Sequence, residues 1–122
     1  KWCSTPGYCD YIAPQLYYGF EHSTAAYSTV MKQWSELVSC DEVDLLVGLA
    51  AYKVGQQDQY GGSGKDEWQV NHDILAHQID DARAYKNYGG MIFFRYEQLF
   101  NPSSTAKEAM ELEKRNFTAL LK

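Results

Sequence analysis

The apolar stretch Asp44-Leu-Leu-Val-Gly-Leu-Ala-Ala-Tyr-Lys53 decides the architecture of this chain. It is too short for a typical core helix and long enough for a buried strand. The segments Asp10–Gly19 and Gly89–Tyr96 have the same character, and a helical pattern follows each of the three. Alternation of strand and helix predicts parallel strands with crossover helices, and it makes the quoted stretch the central strand.

Length limits the chain to one domain over residues 1–122, or to a piece of a larger domain, and the alternation of strand and helix makes its class α/β. Hydrophobic residues make up 45% of the sequence and aromatic residues 15%, so a core can form. The net charge of -5 and the lack of a basic run argue against nucleic acid or an anionic membrane as a partner. No apolar segment approaches the ~18 residues that a membrane-spanning helix needs.

The helical segments show apolar residues at three-and-four spacing, which is typical of a buried stripe. The first is expected over about 24–38, with Ser23 as its N-cap. The second is expected to begin at the capping residue Asn71, and the third at the capping box Thr105-Ala-Lys-Glu108. The predicted order of elements is βαβαβα, with no further internal repeat.

The longest irregular segment, Gly55–Gln69, follows the central strand and precedes a helix. In a parallel α/β protein this position lies at the C-terminal edge of the sheet, where sites are built. Its Tyr60 and Trp68 could add stacking surfaces for a ligand. The run Gly61-Gly-Ser-Gly64 lacks a Walker pattern and precedes the expected helix start by several residues, so a loop tip is favoured over a phosphate cradle.

Polar and aromatic residues also occur where the predicted strands end. They are Gln15, Tyr17, Tyr52, Lys53, Arg95, Tyr96 and Glu97. Aromatic faces pack against the apolar C–H faces of sugars, while amide and cationic groups bind hydroxyls. The sequence therefore suggests a sugar-binding edge; the alternative is that the tyrosines complete a core with their hydroxyls in water.

Candidate catalytic acids are less distinctive. Glu21, Asp58, Glu67 and Glu97 all follow strands, and glycoside cleavage commonly uses two carboxylates. None of the four lies in a distinctive motif, and a solvated loop carboxylate is the default interpretation. No nucleophile elbow or Cys/His nucleophile pattern is present. The catalytic residues therefore stay unassigned.

His72, Asp73 and His77 share one predicted helix and suggest a metal site only weakly, because no complete zinc signature accompanies them. We expect surface histidines, no metal and no cofactor. The cysteines at positions 3, 9 and 40 cannot all pair within the chain, and their spacing matches no zinc motif. Reduced or unpaired thiols are favoured, and a Cys3–Cys9 disulfide stays open if the protein is exported.

Three segments together resemble the glycosyl hydrolase-like 10 family: Asp10-Tyr-Ile-Ala-Pro-Gln-Leu-Tyr17, Val47-Gly-Leu-Ala-Ala-Tyr-Lys53, and Gly90-Met-Ile-Phe-Phe-Arg-Tyr96 followed by Leu99. These bacterial proteins have a TIM-barrel catalytic domain, and many are exported or lipid-anchored to the cell envelope. The order and spacing resemble the last three strands of that barrel. The resemblance implies that the chain is the C-terminal part of a (β/α)8 barrel.

The resemblance also implies a function. The expected activity of the parent protein, secreted or in the cell envelope, is cleavage of glycosidic bonds in bacterial envelope or extracellular glycans. The expected substrate-binding residues are Gln15, Tyr17, Tyr52 and Lys53, carried over from the motifs, together with Tyr60 and Trp68 from the long loop. The alternatives are a non-catalytic carbohydrate-binding or structural barrel segment, and a phosphosugar enzyme.

A complete barrel needs ~250 residues and eight strands, so the resemblance implies that Lys1 lies inside a longer protein. In related barrels the principal acids come from strands four and five, or four and seven. The first arrangement places both acids outside this chain, and no acid at the end of the central strand supports the second. The isolated chain is therefore expected to be inactive, and its uncovered strand edges and interior face favour a homo-oligomer.

Overall fold

The computed structural model describes residues 1–122 and contains one three-stranded parallel sheet. The strands are β1 (Tyr11–Ile12), β2 (Asp44–Ala50) and β3 (Tyr88–Phe94). The helices are α1 (Tyr27–Leu37), α2 (Glu67–Val70), α3 (Ile74–Arg83), α4 (Tyr96–Phe100) and α5 (Lys107–Leu121). Short 3₁₀ turns cover Ala51–Lys53 and Gly62–Gly64. None of the helices is both long enough and apolar enough to cross a membrane.

The strand order is β1-β2-β3, so the predicted central position of β2 and the parallel pairing are both confirmed. β1 is shorter than expected, because Pro14 has no N–H to continue the ladder. Pairing resumes at an isolated bridge between Gln15 and Gly48. A Cβ at Gly48 would lie 2.7 Å from the Pro14 carbonyl oxygen, so the close approach of these two strands requires glycine.

The central strand also ends earlier than predicted, at Ala50, and the chain turns through Ala51–Lys53. The predicted N-caps are wrong: the N-cap residues are Ala26, Asp73 and Ala106, and none makes a capping side-chain hydrogen bond. Other contacts replace them at the start of α1, where the Tyr27 N–H donates to the Gly19 carbonyl oxygen at 3.0 Å, and at the start of α3.

The start of α3 shows how such a contact works. Both oxygens of the Glu113 carboxylate, on α5, accept hydrogen bonds from the backbone N–H groups of Ile74 and Leu75, each at 3.0 Å. Glu113 is fully buried and lies far away in sequence. A cap supplied by another helix cannot be read from the residues that flank α3.

The two faces of the sheet differ in their surroundings. Leu45, Val47 and Leu49 are fully buried in one core with side chains of α1, α3 and α5, and we call this side the covered face. The alternate residues form the open face, on which Ile92 is 45% exposed and Phe94 48% exposed. The register places Gly48 beside Ile92 and Ala50 beside Phe94 on that open face.

Candidate functional site

Three aromatic rings meet where the three strands end. Tyr17 follows β1, Tyr52 follows β2, and Phe94 is the last residue of β3. The Tyr17 ring lies edge-on to the Tyr52 ring at 5.6 Å between centroids, and Phe94 lies 6.0 Å from Tyr17 and 6.2 Å from Tyr52. These residues form the aromatic cluster, at the C-terminal end of the sheet and on the rim of the open face.

The hydroxyl groups of the aromatic cluster stay protonated at neutral pH. Partial burial raises the pKa of both Tyr17 and Tyr52 above the ordinary value of 10.0. The neighbouring phenol and the Asp58 carboxylate raise the pKa of Tyr52 further. Both phenols can therefore donate and accept hydrogen bonds beside an apolar ring face, which suits a ligand that carries hydroxyl groups.

Lys53 lies beside the cluster but is already engaged. Its Nζ donates to the Tyr17 carbonyl oxygen at 2.6 Å and to Asp58 Oδ2 at 2.8 Å. The Lys53 side chain is 15% exposed and the Asp58 side chain 4% exposed. These contacts join the segment after β1 to the long loop after β2. The Lys53 ammonium group therefore holds Tyr17 in position and is not free to bind a ligand.

The loop after β1 is also held by Glu67 and Gln78. The Glu67 carboxylate accepts hydrogen bonds from the N–H groups of Phe20 at 2.8 Å and Glu21 at 3.0 Å. Gln78 Nε2 donates to the Tyr18 carbonyl oxygen at 2.8 Å. Burial raises the pKa of Glu67, while its two backbone donors lower it. The cluster therefore stands on a rigidly anchored loop.

The four candidate acids divide into two pairs. Asp58 and Glu67 are buried and committed to these structural contacts. Glu21 and Glu97 are exposed, and Glu97 forms an ion pair with Arg95 at 2.7 Å. The arrangement can bind and orient a ligand, and it presents no pair of unengaged buried carboxylates at the cluster.

The six residues predicted to bind substrate do not all come together. Tyr17, Tyr52 and Lys53 do, and Gln15 is exposed in the extended segment after β1, on the same side as Tyr17. Tyr60 is 77% exposed on the long loop. The expected stacking role of Trp68 disagrees with its position, because α2 places it in the core at 1% exposure, where no ligand can reach its face.

Phe94 was missed as a site residue because it belongs to an apolar strand and looks like core. Strand alternation could have revealed it, since Phe94 pairs in register with Ala50, and Ala50 and Tyr52 alternate on one predicted face. An apolar residue that ends a strand on the same face as site tyrosines is the signal.

Histidine and cysteine side chains are not part of the aromatic cluster. His77 Nε2 lies 3.4 Å from Asp73 Oδ2, and both side chains are exposed. No group of three or more His, Cys, Asp or Glu side chains is arranged to hold a metal ion. Cys3 and Cys9 are half-buried and Cys40 is buried, all as free thiols.

Comparison with known proteins identifies the family. The sequence profile of the family described as Glycosyl hydrolase-like 10 matches residues 1–63, just over half the chain. The chain belongs to the glycosyl hydrolase-like 10 family. The matched residues contain the first two of the three segments on which the resemblance was based, and both β1 and β2.

This glycosyl hydrolase-like 10 chain is also similar to two curated bacterial proteins. It is 34% identical over 100 residues to "Glycosyl hydrolase DigH" of Escherichia coli (strain K12), a match that covers 80% of this chain and 22% of that protein. It is 37% identical over 74 residues to "Glycosyl hydrolase YngK" of Bacillus subtilis (strain 168), covering 61% of this chain and 14% of that protein. The chain therefore spans well under half the length of either relative.

Proposed function

We propose that the full-length protein is a glycoside hydrolase that cleaves glycosidic bonds in bacterial envelope or extracellular glycans. The observation that carries this proposal is the aromatic cluster of Tyr17, Tyr52 and Phe94 at the C-terminal ends of three parallel strands. Family membership and relatives named as glycosyl hydrolases support the reaction class. An exported or envelope-bound location is part of the same proposal.

Residues 1–122 would supply the last three β/α units of a TIM barrel. Two features support this arrangement: the strands are parallel, and the core helices pack on one face only. In a barrel the open face would point inward and meet side chains from the other strands, which accounts for apolar Ile92 on that face. TIM-barrel active sites lie at the C-terminal ends of the strands, which is where the cluster lies.

The cluster suits a sugar because its surfaces are partly apolar and partly polar. The exposed parts of the Tyr52 and Phe94 rings can pack against the C–H face of a pyranose. The Tyr17 and Tyr52 hydroxyls and the exposed Gln15 amide can exchange hydrogen bonds with sugar hydroxyls. Lys53, Asp58 and Glu67 would act indirectly, by holding these groups in place.

The catalytic acids would come from elsewhere in the barrel. Hydrolysis commonly needs two carboxylates flanking the scissile bond, and the buried carboxylates near the cluster are engaged in structural contacts. The same observation favours a second candidate function, a barrel that binds glycans without cleaving them. The two candidates share the binding site and differ only in turnover.

Alanine substitution in the full-length protein tests both candidates. We expect Tyr17→Ala to weaken binding of neutral oligosaccharides by about 1–3 kcal/mol, because one wall of the cluster is lost. Tyr8→Ala is the matched control, since Tyr8 is exposed in the N-terminal segment before β1. Calorimetry gives the affinity, and an assay of reducing ends gives turnover.

Equal affinities of Tyr17→Ala and Tyr8→Ala would contradict the proposed site. Tight binding by the unmodified protein without any release of reducing ends would favour the non-catalytic candidate.

A further inference from the structure

A second concave site lies next to the aromatic cluster. It is a cavity of about 330 Å³ between the 3₁₀ turn after β2, helix α4 and the start of α5. We call it the side cavity. The lining residues that bear on ligand binding include Tyr52, Gln56, Glu97, Gln98, Asn101 and Met110. Its volume falls within the range of about 300–1,000 Å³ that is typical of small-molecule sites.

The lining of the side cavity combines uncharged polar groups with an apolar surface. Gln56, Gln98 and Asn101 contribute three amides, each with donors and an acceptor. Val54 and Met110 are buried and supply part of the apolar surface. An amide-rich wall opposite an apolar one is the chemistry that recognises a neutral, hydroxyl-bearing ring.

Gln98 places an unmet hydrogen-bond acceptor beside the side cavity. Its Oε1 atom is buried and has no hydrogen-bond partner in the chain. Buried side-chain oxygens are nearly always bonded, and an unbonded one destabilises the fold. Because Gln98 belongs to the cavity lining, rotation of its amide group would turn this oxygen towards the side cavity, where a hydroxyl donor could bond to it.

The position of the side cavity connects it to the aromatic cluster. Tyr52 belongs to both, through its contact with Tyr17 on one side and its place in the cavity lining on the other. Glu97 also lines the cavity, and it is the lining's one charged residue. Its carboxylate is already paired with Arg95, so the lining offers no unpaired charge to an ionic occupant and suits a neutral one.

We propose that the side cavity is a specificity subsite that binds one neutral sugar unit of a glycan whose neighbouring unit lies on the aromatic cluster. This inference rests on the proposed function and adds to it a second contact point and the charge of the unit bound there. Gln98 would accept a hydrogen bond from a sugar hydroxyl, and Tyr52 would contact both units.

The substitution Gln98→Met in the full-length protein tests the subsite. Methionine keeps the length and approximate volume of glutamine and removes the amide. The variant is expected to bind cellotetraose or N-acetylchitotetraose about five- to tenfold more weakly, the effect of losing one or two hydrogen bonds. Its thermal stability should be unchanged or higher, because the unbonded buried oxygen is gone.

Two further variants complete the test. Ser103→Trp places a large ring at an exposed position of the lining and should also reduce the affinity, by blocking entry. Gln33→Met is the matched control, because Gln33 is exposed on α1, away from the cavity. Should Gln98→Met lose stability, Ser103→Trp decides the matter alone.

The outcomes separate the two proposals. Binding of either tetrasaccharide by the unmodified protein, weakened by Gln98→Met and by Ser103→Trp but not by Gln33→Met, supports the subsite. Binding that neither cavity variant weakens overturns the subsite and leaves the proposed function in place. No binding of either tetrasaccharide by the unmodified protein contradicts the proposed function, and the subsite with it.

Discussion

The two faces of the sheet are built from alternating residues of the same strands, yet they have opposite surroundings. Leu49 on the covered face is fully buried, while Ile92 on the open face is 45% exposed. Both are large aliphatic side chains, so hydrophobicity alone does not tell the faces apart. The difference shows that burial on the covered face stabilises this chain, whereas the open face is an exposed apolar surface that other parts of a protein can cover.

Two buried carboxylates, one behind the covered face and one at the site, make the same kind of contact with different consequences. On the covered side Glu113 joins α5 to the start of α3 through two backbone N–H groups. At the site edge Glu67 joins the long loop to Phe20 and Glu21 in the same way. One contact assembles the helical layer, and the other fixes the loop that carries the aromatic cluster.

The largest difference between the faces should appear in stability. Leu49→Ala is expected to lower the free energy of unfolding by about 2–5 kcal/mol, because it opens a cavity in a packed core. The matched change Ile92→Ala should lower it by less than about 1 kcal/mol, since the side chain is half in solvent. Urea unfolding measures both, and similar losses would show that the two faces are equally packed.

Titration of Glu113 should make the stability of the covered side depend on pH. The pKa of Glu113 is raised from 4.5 to about 7: burial is the largest cause, the backbone donors Leu75 and Ile74 oppose it, and the Asp73 carboxylate adds to it. The folded-state pKa lies above the unfolded one, so this stabilisation is complete below pH 4.5 and is lost as the pH rises through about 7. The full change is about 3 kcal/mol.

Comparison with Glu113→Gln isolates this contribution, because the variant cannot titrate there. Between pH 5 and pH 8 the free energy of unfolding of the unmodified chain should fall by about 3 kcal/mol more than that of the variant. Glu108→Gln is the control, since Glu108 is exposed on the same helix. Parallel pH curves for the unmodified chain and Glu113→Gln would exclude the effect.

The smallest effect concerns association through the open face. Residues 1–122 alone are expected to self-associate as the concentration rises, because identical open faces can cover each other. Ile92→Lys should weaken the association at least about tenfold, since an interface would then have to desolvate a charge. Leu37→Lys is the control, an exposed apolar site on α1. Light scattering over a dilution series measures the mass.

A mass equal to the monomer at every concentration would contradict the association. Equal effects of Ile92→Lys and Leu37→Lys on the association would show that the contact lies outside the open face.

The sequence by itself determined the order of the three strands and of α1, α3 and α5, the parallel pairing and the central place of β2, whereas the short helices α2 and α4 were not predicted. Each of these follows from short-range patterns: an apolar run of strand length, apolar residues at helical spacing, and the alternation between them. The family could likewise be identified from short segments, because 10–17 and 47–53 keep their pattern whatever surrounds them. Strand alternation also predicted that Tyr17 and Tyr52 lie at one end of the sheet.

Only the tertiary structure decided what each side chain contacts. Trp68 was expected to offer a stacking surface to a ligand, but α2 places its side chain in the core. Lys53 was expected to bind a ligand, but its ammonium group is bonded to Asp58 and to the Tyr17 carbonyl oxygen. The start of α3 takes its cap from Glu113, 39 residues away. Burial and hydrogen bonding depend on which distant segments come into contact, and a local sequence pattern does not specify those contacts.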